Sequence, residues 1–215
     1  FLHVDIDAFF SSAEKARNKD LENKPVVVCM FTKNGKSGAV ASASYEARGL
    51  GIKAGMAVSK AKKLASKDTV FLHADISYYS SLSNEIMKEL SAFGKLEVMS
   101  IDEAYLEVEN DLEKAKELGI KIKEIIKETF NLSVTVGIGK TRILAKIASK
   151  ISKPNGLMML FSLQDVKKYE VTIIPGIGKK TAEILSSYGI NKIADLINVG
   201  PMKIKEIFPN KYGNY

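Results

Sequence analysis

Residues 2–7 alternate strictly between apolar and polar side chains, and this alternation predicts a β-strand. One face of the strand is apolar, and the other carries His3, Asp5 and Asp7. Aspartate is a poor strand former, so two carboxylates in an otherwise apolar strand are uncommon. The pattern therefore predicts a strand with a chemically active face.

Further along the chain, the hydrophobic period changes repeatedly between two and about 3.6 residues. The pattern predicts, in chain order, a helix at 75–93, two short strands within 96–108, a helix at 111–130, a strand at 133–138, a helix at 141–152 and a short strand at 157–161. Together with the first strand, this is the α+β order of a split βαβ, ferredoxin-like βαββαβ fold. A long insertion, residues 9–74, separates the first strand from the first of these helices, and the C-terminal residues form a small helical unit.

Charge is distributed unevenly along the chain, which has 215 residues and a net charge of +7. Lysine and arginine outnumber aspartate and glutamate by 12 to 5 in residues 9–74 and by 8 to 5 in residues 161–215. The remaining residues hold 12 basic against 15 acidic side chains. Two basic segments around an acidic one favour a polyanion held over a metal-binding centre, and surface lysines that serve only solubility are the alternative.

The sequence contains no signal peptide and no apolar run near the roughly 20 residues of a membrane span. The single cysteine, Cys29, lies in an apolar run and is predicted to be a buried strand residue. One cysteine cannot form an internal disulfide, so the chain fits a reducing cytoplasm. The first residue already belongs to an apolar pattern, and we expect a short N-terminal segment to precede it.

Three carboxylates are the strongest candidates for chemistry. Asp5 lies on the first strand, and Asp102 and Glu103 lie at the hairpin between the second and third strands of the βαββαβ plan. The first and third strands of such a sheet are central neighbours, so these side chains can meet. Carboxylate oxygens suit Mg²⁺, and Asp7 is a weaker ligand candidate or a residue behind the ligands. The alternative is a solvated hairpin tip with Asp5 as a capping or edge residue.

Several segments together resemble the Y-family DNA polymerases, the lesion-bypass class, in their archaeal type. They are residues 4–10 (VDIDAFF), 37–48 (SGAVASASYEAR), 51–56 (GIKAGM), 100–105 (SIDEAY) and 152–156 (SKPNG). The resemblance spans nearly the whole chain in the right order, although Ala8 stands where some relatives carry an aromatic residue. It implies a palm (1–8 and 75–160), inserted fingers (9–74) and a thumb (161–215), without the further C-terminal domain that such enzymes usually carry.

The resemblance also implies a site that joins a dNTP to a primer 3′-hydroxyl with two Mg²⁺ ions. The metal ligands would be the carboxylates of Asp5, Asp102 and Glu103 and the carbonyl of Ile6. The triphosphate would lie on Tyr45, Arg48, Lys153 and the backbone N–H groups of Phe9 and Phe10, where a helix begins. For Tyr45 and Arg48 the alternatives are a core aromatic and a helix salt bridge.

The resemblance makes Phe10 a steric gate against the ribose 2′-hydroxyl, with a core phenylalanine as the alternative. It makes Ala41 and Ser42 the small residues that cover the nascent base pair and leave room for damaged templates. Template-directed synthesis with low fidelity would follow. The implied partners are primer–template DNA and dNTP, with a sliding clamp reached through the missing C-terminal region; no membrane is involved, and the chain is expected to be a monomer.

Residues 174–185 (IPGIGKKTAEIL) are typical of a helix–hairpin–helix, whose glycines allow a tight turn that presents N–H groups to phosphate. Lys179 and Lys180 add charge without reading sequence. An ordinary helix start after a Pro-Gly turn is the alternative. Lys146 and Lys150, four residues apart, are typical of a solvated helix face, with DNA contact as a second interpretation.

Two other functions remain open at this point. A nucleotide cyclase can use a similar palm and metal-binding carboxylates, although the helix–hairpin–helix and the basic insertion count against it. A DNA-binding module without catalysis explains the charge and the thumb but leaves Asp5, Asp102 and Glu103 without a role.

Overall fold

The computed structural model describes residues 1–32, 37–109 and 111–209. Its strands are β1 (Leu2–Ile6), β2 (Val26–Phe31), β3 (Gly38–Ala43), β4 (Val70–His73), β5 (Lys95–Val98), β6 (Glu103–Glu107), β7 (Val134–Gly139) and β8 (Leu157–Leu160). Its α-helices are α1 (Phe9–Arg17), α2 (Tyr45–Gly49), α3 (Val58–Leu64), α4 (Ile76–Ser91), α5 (Leu112–Phe130), α6 (Arg142–Ser152), α7 (Lys179–Ser187) and α8 (Ile193–Ile207). No helix in these ranges is both long and apolar enough to cross a membrane.

The larger sheet confirms the predicted ferredoxin-like plan. Its strand order is β5-β6-β1-β7-β8, so β1 lies at the centre between β6 and β7. β1 is antiparallel to both neighbours, and β8 extends the sheet by pairing in parallel with β7. The first and third strands of the plan are therefore adjacent, as the sequence predicts.

The two faces of this sheet differ in chemistry. The apolar side chains of β1 enter the main core with buried residues of α4 and α5, including Tyr79, Ile122 and Ile126. The opposite face carries the polar side chains of β1 and is covered by α6. At Gly137 a Cβ atom would lie 2.0 Å from the carbonyl oxygen of Ala145, so only glycine allows α6 to approach this closely. The close approach brings α6 side chains within reach of His3 on β1 and Glu103 on β6.

The inserted residues form a second, three-stranded sheet of order β3-β2-β4. β2 is buried on both faces: Val26 and Val28 belong to the main core, whereas Val27 and Cys29 belong to a separate cluster with α2 and α3. Cys29 is a buried strand residue, as predicted. α1 also joins the two regions, because Phe9 packs into the main core. The predicted palm–fingers boundary at residue 8 therefore crosses a continuous core, and it stays a prediction.

The C-terminal region consists of two short 3₁₀ turns followed by α7 and α8. Val166 and Ile193 pack against α6 and so join this region to the palm. A second small cluster holds Leu185, Ile190 and Phe208. α8 is interrupted at Gly200, where the backbone has φ 72° and ψ 171° just before Pro201.

Two residues on the predicted apolar helix faces are exposed. Ile76 lies in the first turn of α4 and Ile143 in the first turn of α6, and both are about half exposed. The apolar face of a helix extends only as far as its neighbours cover it, and helix ends project beyond the sheet. Periodicity alone does not show this limit.

Candidate active site

The three predicted carboxylates lie at one end of the β1–β6 pair. Asp5 and Glu103 are directly opposite each other in the antiparallel register. Asp102 lies in the preceding turn, where its carbonyl oxygen accepts a 2.8 Å hydrogen bond from the N–H of Ile6. Its carboxylate accepts a 2.7 Å hydrogen bond from the Ser100 hydroxyl. Positions about a hundred residues apart thus meet at the end of two central strands.

Each carboxylate of the facing pair has a lysine partner. The ammonium group of Lys153 forms an ion pair with Asp5, and Lys146 Nζ lies 2.7 and 2.9 Å from the two carboxylate oxygens of Glu103. The interpretation of Lys146 as part of a solvated face is therefore wrong. Lys150, by contrast, is exposed and donates to the carbonyl of Thr172.

The protein environment changes proton affinity at this site. Burial raises the pKa of Asp5 to about 6; the charge of Lys153 opposes this shift, and the neighbouring carboxylates of Asp102 and Glu103 add to it. Burial lowers the pKa of His3 to about 4, so its imidazole is neutral at neutral pH. The face of β1 that carries the carboxylates is thus held in a low-dielectric setting.

The donor set fits a hard divalent cation. Oxygen Oδ1 of Asp5 is buried without a well-aligned hydrogen bond, and its close neighbour is the Lys153 ammonium, a positive charge. Carboxylate oxygens and a strand-end carbonyl are the ligands that Mg²⁺ prefers. Within the described ranges, however, no three acidic, histidine or cysteine side chains stand in a preformed metal-binding group. Lysine ion pairs hold Asp5 and Glu103 instead, and the Ser100 hydroxyl holds Asp102.

A cleft of about 220 Å³ opens beside these carboxylates. It is lined by both regions of the fold, with Asp102 and Lys153 from the palm and Phe10, Ser42 and Arg48 from the inserted region. Backbone and side-chain atoms of Ile6, Ala8, Phe9, Ala41, Ala54 and Ile101 complete the lining. The cleft thus brings together most of the residues that the resemblance implies for the nucleotide.

The aromatic residues around this cleft are held by specific contacts. The Phe10 ring is partly buried and stacks on Tyr79, with ring centroids 4.3 Å apart and an interplanar angle of 14°. The Arg48 guanidinium lies 4.7 Å from the centre of the Tyr45 ring. Arg48 Nε donates a 2.9 Å hydrogen bond to the carbonyl of Ala43, and within the described ranges Arg48 forms no ion pair, so the alternative of a helix salt bridge does not describe it. Burial, with the nearby Asp7 carboxylate, raises the pKa of Tyr45 to about 12, so its hydroxyl stays protonated.

The sequence profile of the impB/mucB/samB family matches residues 4–150, more than half of the chain. This chain belongs to the impB/mucB/samB family. A SAM-like helix–hairpin–helix tandem matches residues 168–208, in agreement with the predicted hairpin motif.

Curated relatives of this family member are named DNA polymerase IV. The protein of Metallosphaera sedula is 45% identical over 92% of this chain and 58% of its own length. That of Sulfurisphaera tokodaii is 40% identical over 95% of this chain and 60% of its own length. This chain therefore spans about three fifths of the length of these relatives.

Solved structures agree with the fold and with the predicted resemblance. DinB from Sulfolobus solfataricus matches with a TM-score of 0.89 and 38% identity, over 97% of this chain and 63% of that one. A Y-family DNA polymerase chimera and an insertion ternary complex of Dbh DNA polymerase each match with a TM-score of 0.89 and 40% identity, over 96% of this chain and 62% of the other. The resemblance to Y-family polymerases is confirmed, whereas the roles of individual residues stay predictions.

Sequence reasoning missed the role of His3 in the site of this family member and left two roles open for Asp7. The buried His3 imidazole lies between Ser149, 2.8 Å from Nδ1, and Glu103, 3.4 Å from Nε2. Its position on the carboxylate face of β1 was the available signal. Asp7, proposed from sequence as a weaker ligand, is buried and accepts hydrogen bonds through both oxygens, so it has no free oxygen directed at a metal.

Proposed function

We propose that this chain is the catalytic part of a template-directed DNA polymerase of the lesion-bypass class, which adds dNTPs to a primer 3′-hydroxyl with low fidelity. The observation that carries the proposal is the single cleft that Asp102, Arg48, Lys153 and Phe10 line together. The same space then contains carboxylates that can bind a metal ion, cations that can bind a triphosphate and an aromatic ring that can contact the sugar. The family membership and the named relatives support the same assignment.

Asp5, Asp102, Glu103 and the Ile6 carbonyl are the proposed metal ligands. When bound there, a pair of Mg²⁺ ions would favour ionisation of the 3′-hydroxyl and neutralise charge on the leaving pyrophosphate. The chain's own groups orient the reactants. Lys153 is positioned between Asp5 and the cleft, so its ammonium can move from the carboxylate to a phosphate oxygen.

The remaining residues of the cleft select and hold the nucleotide. Arg48 can bind phosphate oxygens through its forked guanidinium, and the Tyr45 ring beneath it limits its orientation. The N–H groups of Phe9 and Phe10 lie in the first turn of α1, where an anion is favoured. Ala41 and Ser42 place small side chains over the cleft and leave space for a distorted base pair.

Primer–template DNA is the proposed macromolecular partner, and the thumb is proposed to hold its backbone. α7 begins after Gly178 without a side-chain cap, so the N–H groups of its first turn can be offered to phosphate, with Lys179 and Lys180 exposed beside them. A monomeric state, a cytoplasmic location and contact with a sliding clamp through sequence outside this chain are implied by the resemblance and stay predictions. A nucleotide cyclase is disfavoured by the family match and by the helix–hairpin–helix.

Single-nucleotide primer extension with Mg²⁺ tests the proposal. Asp102→Ala should lower insertion by more than about 1000-fold, because it removes a ligand for the ions that act on the reacting oxygens. The Asp102 side chain is only partly buried, so circular dichroism should show an unchanged fold. Glu117→Ala, an exposed acidic residue of α5, is the matched control and should insert like wild type.

Near-normal insertion by a folded Asp102→Ala variant would remove the metal-ligand assignment. A wild-type chain that cyclises a nucleoside triphosphate and extends no primer would replace the polymerase with a cyclase. A wild-type chain that binds DNA but catalyses neither reaction would be a DNA-binding module without catalysis.

A further inference from the structure

The loop that carries Lys153 is fixed by two charged residues outside the predicted nucleotide site. In the segment Lys153–Gly156, the N–H of Asn155 donates a 2.8 Å hydrogen bond to Oδ2 of Asp7. Lys123 Nζ, from α5, donates 2.6 Å hydrogen bonds to both the carbonyl oxygen and Oδ1 of Asn155. The Asp7 carboxylate therefore holds the N–H of Asn155, and the Lys123 ammonium group holds its carbonyl and side-chain oxygens.

Both charged groups are otherwise satisfied within the palm. Asp7 is 2% exposed and also accepts from Ser133 Oγ at 2.6 Å and Thr135 Oγ1 at 2.8 Å. Lys123 Nζ further donates to the carbonyl of Val134 at 3.0 Å. A buried carboxylate is tolerated only when its oxygens are hydrogen-bonded in this way. The resulting network leaves the Asn155 peptide one well-defined position.

The same carboxylate reaches the inserted region. Tyr45 Oη lies 3.4 Å from Asp7 Oδ1, and the Tyr45 ring lies beneath the Arg48 guanidinium. Asp7 thus contacts α2 on one side and the Lys153 loop on the other. The two regions that supply the proposed triphosphate-binding cations share one buried anchor.

We propose that Asp7 and Lys123 are positioning residues that hold Lys153 in register with Tyr45 and Arg48, so that the triphosphate meets a preformed set of cations. This inference rests on the proposed function. Neither residue touches the cleft. A purely stabilising role would be served as well by apolar side chains of similar size, since burying a charge carries a large desolvation penalty. A positioning role instead requires directional hydrogen bonds at both ends of the peptide.

The first variant is Lys123→Met, which keeps the length of the side chain and removes its three donors. Lys116→Met, at an exposed position of the same helix, is the matched control. Steady-state insertion should show a KM for dNTP raised about 10- to 100-fold with a smaller change in kcat, as for groups that orient a binding residue from behind. Deuterium exchange of the backbone amides at 153–156 should also become faster in Lys123→Met and stay unchanged in Lys116→Met.

The second pair of variants tests whether hydrogen bonding at Asp7 matters beyond folding. In Asp7→Asn the amide oxygen can still accept from Asn155 and Ser133, while its NH₂ group can donate to the hydroxyls of Thr135 and Tyr45. Asp7→Ala removes all four contacts. Asp7→Asn should therefore retain a KM within about 10-fold of wild type, with Asp7→Ala raised well above it.

Four outcomes are informative. An active wild type with unchanged KM in every variant would overturn the inference and leave the proposed function intact. The inference would also be overturned if Asp7→Asn and Asp7→Ala lowered kcat, raised KM and lowered thermal stability to the same extent. Such equal changes are the behaviour of a structural residue. A wild type that extends no primer would overturn the proposed function itself, and unchanged amide exchange at 153–156 in Lys123→Met would separately overturn the positioning of Lys153.

Discussion

The palm cleft and the thumb hairpin are both proposed to bind phosphate, yet they are built differently. The cleft uses charged side chains, and several of them are partly buried and held by ion pairs or hydrogen bonds, as Lys153 is by Asp5. The hairpin uses the backbone. Gly176 has φ 90°, a conformation that glycine adopts without strain, and a Cβ atom there would meet nothing within 4 Å. The lysines beside it are exposed.

Under the proposed function, this difference means that the same ligand chemistry would serve two purposes. Side chains fixed in a cleft meet one phosphate group in one geometry, and the loss of one contact changes chemistry. Backbone N–H groups and mobile surface cations hold any nucleic-acid backbone, so that no single side chain decides binding. Substitutions in the cleft should therefore have large and specific effects, whereas those in the hairpin should have small and general ones.

The largest expected effect in this comparison comes from Phe10→Ala in the cleft. If the ring excludes a 2′-hydroxyl, its removal should lower the ratio of kcat/KM for dNTP over rNTP by on the order of 100-fold. Phe10 is only partly buried, at the edge of the main core where it stacks on Tyr79, so a folded Phe10→Ala variant should lose much less deoxynucleotide insertion. The exposed Phe161 provides the control Phe161→Ala.

If Phe10→Ala leaves the ratio of kcat/KM for dNTP over rNTP unchanged and strongly lowers thermal stability, Phe10 is a core residue and not a steric gate. The two sugars share the same base and triphosphate, so their kcat/KM ratio isolates the transition-state difference at the 2′ position.

The sequence predicted those strands in which apolar and polar side chains alternate. β1 is covered on both faces, but its apolar side packs against α4 and α5 whereas the side beneath α6 carries His3 and Asp5, so its register and carboxylate face were readable. β2 is buried on both sides and shows no alternation, which is why the strands of the inserted region were not assigned one by one. Periodicity reports a difference in polarity between the two faces of a strand, and it fails where both faces are apolar.

For the site, residue type and motif predicted the carboxylates but not their partners. Lys146 has the spacing of a solvated face, and only the close approach of α6 at Gly137 brings it to Glu103. The contact between Asp7 and Asn155 joins residues 148 positions apart. Such pairs depend on the packing of elements, which local sequence does not encode.

A smaller effect is expected when the core beneath the hairpin is truncated. Leu185→Ala opens a cavity in the small cluster that contains Leu185, Ile190 and Phe208, and should destabilise the thumb by about 2–5 kcal/mol. DNA affinity should fall, while the KM for dNTP at saturating DNA should stay near the wild-type value. The matched variant Ile126→Ala lies in the main core and should lower the free energy of unfolding by a similar amount. At temperatures where both variants are folded, Ile126→Ala should not weaken DNA binding.

Calorimetric unfolding measures the stability of each variant, and titration with DNA measures its affinity. Together the two measurements distinguish the contribution of the thumb cluster from that of the main core. If Leu185→Ala and Ile126→Ala change DNA affinity and nucleotide KM alike, the thumb and the palm unfold and function as one unit, and the contrast between them is lost.

The smallest effect is expected for Lys179→Ala, because its ammonium group is almost fully exposed and only 3.8 Å from Glu183. A single exposed phosphate contact releases about one counterion, so the variant should reduce the slope of log K against log salt by about 0.9 and weaken binding equally for unrelated DNA sequences. Lys127→Ala, exposed on α5 in the palm, should leave the slope unchanged. A loss of affinity confined to one DNA sequence would contradict backbone binding by the hairpin, because it would mean that Lys179 reads bases. A salt-dependence slope equal to that of wild type would place the DNA elsewhere on the thumb.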